Sequence, residues 1–157
     1  MRPISTIAVA LLLVSGFAVS AQDAKSPTVQ AAAAPITIAR EKAPHGAKVF
    51  IVSPRNGAHV GEDVLIKFGV KVMQVLPTGN AQPNSGHHHL LIDANQLPAL
   101  DVPIPNDATH KHYGKGQTED TIHLEPGAHT LQLDFGDAKH MQFDPPVVSK
   151  KITIHVK

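Results

Sequence analysis

Cysteine and tryptophan are absent from all 157 residues, and tyrosine occurs once, at Tyr113. Without thiols there can be no disulfide, thiolate ligand or cysteine nucleophile, so an exported form of the chain must be held together by burial alone. The scarcity of aromatics argues against a carbohydrate-stacking or aromatic-lined groove. Excess charge is missing too: 14 Lys and Arg stand against 13 Asp and Glu. That balance attracts neither nucleic acid nor an anionic membrane surface. The apolar run at residues 7–14 falls short of the roughly 20 residues a spanning helix needs, so no membrane span is expected.

Histidine is what the chain has in plenty, with 11 residues. His87-His88-His89 opens an apolar run, and His110-x-His112 follows. Neutral imidazole is a common ligand for copper, zinc and nickel. In an extended segment, residues two apart share a face. His87 and His89 therefore point one way and His88 the other, and His110 and His112 project together. Each pair aims two imidazoles toward a common point, and a ligand from another segment would complete a site. His129, His140, Met141 and, more weakly, Asp93 are the candidates for that role. The expected metal set is His87, His88, His89, His110, His112, His129 and His140, with copper as the first occupant and zinc the second. The competing reading is a hydrogen-bonded histidine network that only orders loops. His45, His59, His123 and His155 read as solvated residues.

The first residues supply context. Arg2, the apolar stretch that follows and the small residues Ser20 and Ala21 predict a secretory signal peptide over residues 1–21, cleaved near Ala21, with the periplasm as destination. Residues 22–46, with their Ala31-Ala32-Ala33-Ala34-Pro35 tract, carry no sustained apolar face and predict a flexible linker. Residues 47–157 are expected to form a single domain.

In that domain, short β-branched runs are separated by Pro, Gly, Asn and Asp. Residues 48–53 predict a strand stopped by Pro54-Arg55-Asn56-Gly57. Val64, Ile66, Phe68, Val70 and Val72 alternate with Leu65, Lys67, Gly69 and Lys71, which predicts a strand packed on one side. Residues 88–92 and 152–156 predict two more. Residues 121–124, the turn Glu125-Pro126-Gly127 and residues 128–135 predict a hairpin. Along its second arm, His129 shares a face with Leu131, Leu133 and Phe135, while Thr130, Gln132 and Asp134 face away. Residues 76–86 and 93–109 are Pro-rich or Gly-rich connections. The sum is an all-β fold, a small antiparallel two-sheet sandwich of immunoglobulin-like kind with long Pro/Gly-rich loops.

Enzyme motifs are missing. The segment Gly114-Lys115-Gly116-Gln117-Thr118-Glu119 lacks the spacing and helix of a phosphate-binding loop, so no nucleotide is expected. Ser53, Ser85 and Ser149 lack a nucleophile elbow. Three linked motifs nevertheless resemble an exported bacterial family, domain of unknown function 4399. They are Gly86-His87-His88-His89-Leu90-Leu91-Ile92-Asp93, His112-Tyr113-Gly114-Lys115-Gly116-Gln117-Thr118-Glu119, and Leu124-Glu125-Pro126-Gly127-Ala128-His129-Thr130-Leu131-Gln132-Leu133 with Gly136-Asp137 and His140. The resemblance implies a small periplasmic all-β domain and brings no catalytic residue. Three functions stay open: a periplasmic metal-binding domain for storage, delivery or resistance; an envelope structural module with a periplasmic protein partner; and a dismutase-like copper redox enzyme.

Overall fold

The computed structural model describes residues 39–157. The expected signal peptide and residues 22–38 of the expected linker lie outside the described residues. The described residues build nine strands: β1 (Lys48–Ser53), β2 (His59–Val60), β3 (Asp63–Lys71), β4 (Gln74–Val75), β5 (Ser85–Ile92), β6 (His110–His112), β7 (Glu119–His123), β8 (Gly127–Gly136) and β9 (Ile152–Val156). One sheet runs β1-β3-β7 and the other β2-β9-β8-β5-β4, with β6 paired to β5.

Alternating hydrophobicity decides which faces meet. Val64, Ile66 and Phe68 of β3, Val49 of β1 and Ile122 of β7 pack against Leu90 of β5, Leu131, Leu133 and Phe135 of β8, and Ile154 and Val156 of β9. Burying each such side chain contributes about 1.5–3 kcal/mol. This apolar layer between two sheets is the expected all-β sandwich. The likeness to an immunoglobulin domain stops there, because the sheets hold three and six strands and the β2–β9 and β4–β5 pairs are parallel.

Three expectations change. The segments around Glu125-Pro126-Gly127 are not a hairpin: β7 pairs with β3, while β8 pairs with β5 and β9 in the other sheet. The turn carries the chain across the sandwich. Val72 leaves the apolar face of its strand, with φ of 69° and 60% exposure. The described end of the expected linker is docked. Arg40 and Lys42 both pair with Asp144, at 2.9 and 2.6 Å, while Ala43 donates to the Asp144 carbonyl and Asp144 to that of Glu41.

One feature of the second sheet positions the site. A sandwich strand normally wets one face, yet every residue of β5 from Ser85 to Leu91 is buried. Buried Ala94 and Ile104 in the Pro-rich connection, and Met141 and Gln142 in the segment after β8, stand outside the central apolar cluster. These connections fold over the outer face of β5 and β8, with Ile104 donating to the His140 carbonyl at 2.7 Å.

Candidate metal centre

Register brings the histidines together. β6 pairs with β5 so that His112 lies opposite His89, and directly opposed residues share a face. His87 stands two residues from His89 on that same face. The fourth imidazole, His140, comes from the turn after β8 with φ of 66°. The turn is held by Asp137, whose Oδ1 accepts from the backbone of Lys139 and Met141.

Ring centroids measure the cluster. His87 lies 4.9 Å from His89, 4.8 Å from His112 and 5.0 Å from His140. His112 lies 5.0 Å from His89 and 4.7 Å from His140, and His89 and His140 are 6.0 Å apart. His87, His89 and His112 each offer a ring nitrogen, and the three atoms fall within 4.8 Å of one another. Nitrogens bound at about 2.0–2.1 Å to one ion lie within about 4 Å of each other. Closing the set thus takes a movement of about 1 Å or less.

Neighbours fix the rings. A side chain at Gly136 would meet His89 Cε1 at 3.0 Å and Ile104 Cδ1 at 3.1 Å, so the glycine provides the room the His89 ring fills. Thr78 Oγ1 sits 3.1 Å from His112 Nε2. The strand bearing His112 is anchored by the next residue. Tyr113 packs on Phe68 at 4.7 Å, donates its hydroxyl to Asp120 at 3.1 Å and gives its N–H to the His88 carbonyl.

The electrostatics suit a cation acceptor. His87 and His89 are fully buried, and neither nitrogen of either ring has a hydrogen-bond partner among the described residues. Burial first, and the neighbouring imidazoles second, push His87 down to about 3 and His89 to about 2. The same two causes lower His112. Near neutral pH these three rings are therefore uncharged, which is the form that binds metal. Buried polar nitrogens without partners cost about 1–3 kcal/mol each, and ligation would satisfy one nitrogen per ring.

Not all of the expected set arrives here. His88 points to the opposite face, packed between Phe68 at 5.2 Å and Phe135 at 5.1 Å in the apolar core. His110 shares the face of His112 but sits one step further along, opposite Leu91, with its Nδ1 2.9 Å from Asp107. His129 is held at the start of β8 by Asp93 at 2.7 Å and the Glu125 carbonyl at 2.9 Å. Asp93 is thereby engaged away from the cluster, and Met141 is buried beside Gln142. Among the solvated readings, His123 is exposed, while His155 stacks on His59 at 5.0 Å. Thr78, Gly136 and the buried Asp134 carry nothing in the sequence that marks them as part of the site.

Fold and site define a small β-sandwich whose outer sheet face carries a covered imidazole cluster, three of whose residues could hold a metal ion. The chain belongs to the family described as Domain of unknown function (DUF4399), whose profile matches residues 66–157. The match spans β4 to β9, most of β3 and all four clustered histidines. No curated protein and no solved structure matches the chain. Among the described residues, no helix is long and apolar enough to cross a membrane.

Proposed function

We propose that this is an exported, periplasmic copper-binding domain serving storage, delivery or resistance, with zinc as the weaker-held alternative. His87, His89 and His112 are its ligands, and His140 lies against them. The observation that carries the reading is the convergence of three imidazole nitrogens within 4.8 Å, two of the rings being wholly buried with no hydrogen-bond partner among the described residues. Copper is preferred because affinities of nitrogen sites for first-row divalent metals peak at copper.

The test is titration of the metal-depleted protein with copper against a competing chelator. One equivalent binds tightly to the wild type and to His129→Ala, and binding falls sharply in His89→Ala and His112→Ala. Affinity no tighter than millimolar, or equal loss in all three variants, overturns the reading. The loop-ordering alternative draws its support from His110, hydrogen-bonded to Asp107 three residues earlier, and from His129, hydrogen-bonded to Asp93 just after β5.

A further inference from the structure

One buried carboxylate has no evident partner. Asp134 of β8 is fully buried, and neither of its oxygens meets a hydrogen-bond donor among the described residues. It lies opposite His89 in the β5–β8 register, as His112 lies opposite His89 in the β5–β6 register. His112, His89 and Asp134 therefore form one lateral row across three neighbouring strands, on the same covered face. Directly opposed residues place their Cβ atoms about 4.5–5.5 Å apart.

Ionising a buried carboxylate that has no partner is among the most expensive steps a core can take. Among the described residues no Lys or Arg forms an ion pair with Asp134, and in the register it is flanked by His89 on one side and by Val148 on the other. The other groups buried outside the central cluster in the covering segments, Gln142, Met141 and Ile104, are neutral. A cation held by the facing imidazoles is the charge this arrangement is built to meet.

We propose that Asp134 is the counter-charge of the metal centre, a positioning residue that stabilises the bound cation through space from beside His89. The assignment rests on the metal-binding reading of the cluster. Coulomb attraction scales with the product of the charges, so the loss on neutralising Asp134 is larger for a divalent than for a monovalent ion. A merely structural role would weaken both alike.

The experiment measures the affinities of the full chain for Zn(II) and for Ag(I), a redox-inert monovalent probe, in the wild type and in Asp134→Asn. The expected result is weakening by about 100-fold for Zn(II) and about 10-fold for Ag(I), in line with the 10–100-fold typical of groups just outside the ligand shell. Equal weakening of the two ions, or none, overturns the assignment of Asp134 while leaving the histidine site standing. Failure of the wild type to bind either ion overturns both. Should Asp134→Asn not fold, Asp134→Ser is neutral and smaller and makes the same comparison.

Discussion

Three histidines held uncharged inside a sandwich make the metal-depleted protein sensitive to acid, and the size of the effect follows from burial. His87, His88 and His89 are pushed down to about 3, 4 and 2, chiefly by desolvation, from the ordinary imidazole value of about 6.5. Each is a base whose folded value is depressed. Above about pH 6.5 it is neutral in both states and contributes no difference. Below that, the unfolded chain takes up protons that the folded chain refuses, and stability falls with pH. At pH 5 the deficit is about 2 kcal/mol per histidine, or about 6 kcal/mol for the three. Asp134 acts oppositely: burial raises it to about 7, so the folded state gains a proton between pH 7 and 5 that the unfolded state does not, which returns about 2 kcal/mol. His129 and His123 are held up by Asp93 and Asp63 and add a small opposing contribution at the surface. Asp107 is held down at about 2 by His110, and Asp93 is lowered too, so both act below this window. The net loss of about 4 kcal/mol is a large share of a typical domain's 5–15 kcal/mol. Urea unfolding followed by far-ultraviolet circular dichroism at pH 7, 6 and 5, with chelator present, measures it. Constant or rising stability toward pH 5, or His87 ring signals titrating near 6.5 by NMR, would refute the reasoning.

Further outcomes follow from single residues. His88→Leu replaces two unpartnered nitrogens in the apolar core and is expected to raise stability by about 1–3 kcal/mol at pH 5, read as a higher urea midpoint, with metal binding retained. Gly136→Ala forces a methyl to 3.0 Å from His89 and 3.1 Å from Ile104. It is expected to cost about 1–3 kcal/mol and to weaken copper binding in the same titration. Asp93→Ala removes the acceptor of His129 and of the Thr130 N–H. It lowers stability by about 1 kcal/mol and leaves copper affinity unchanged. Saturation with metal at 100 times its dissociation constant adds about 2.7 kcal/mol, seen as a raised thermal midpoint.

Local pattern was enough where one face meets the core and the other meets water. The alternation of Val64, Ile66 and Phe68 located β3, and Ile154 and Val156 located β9. Parity also separated His87 and His89 from His88, because that depends only on the pleat. Long-range packing was not legible. Glu125-Pro126-Gly127 announces a reversal but not the sheet that receives the next strand, so a crossing between sheets read as a hairpin. Asp134 was correctly turned away from Leu133 and Phe135, but the sequence gives no sign that Pro-rich connections cover that outer face. Among the histidines, the distinction was one strand step: His112 registers with His89, and His110 with Leu91.

Tyr113, which ties β6 to the opposite sheet, is the chain's single tyrosine, and no tryptophan competes with it. Beside the weakly emitting phenylalanines, the molecule thus carries one intrinsic fluorophore, covalently adjacent to His112. Cupric ion captured at that imidazole would quench its emission, whereas zinc, with a closed shell, would not. Light absorbed by one ring then tells which ion has arrived, with no label added.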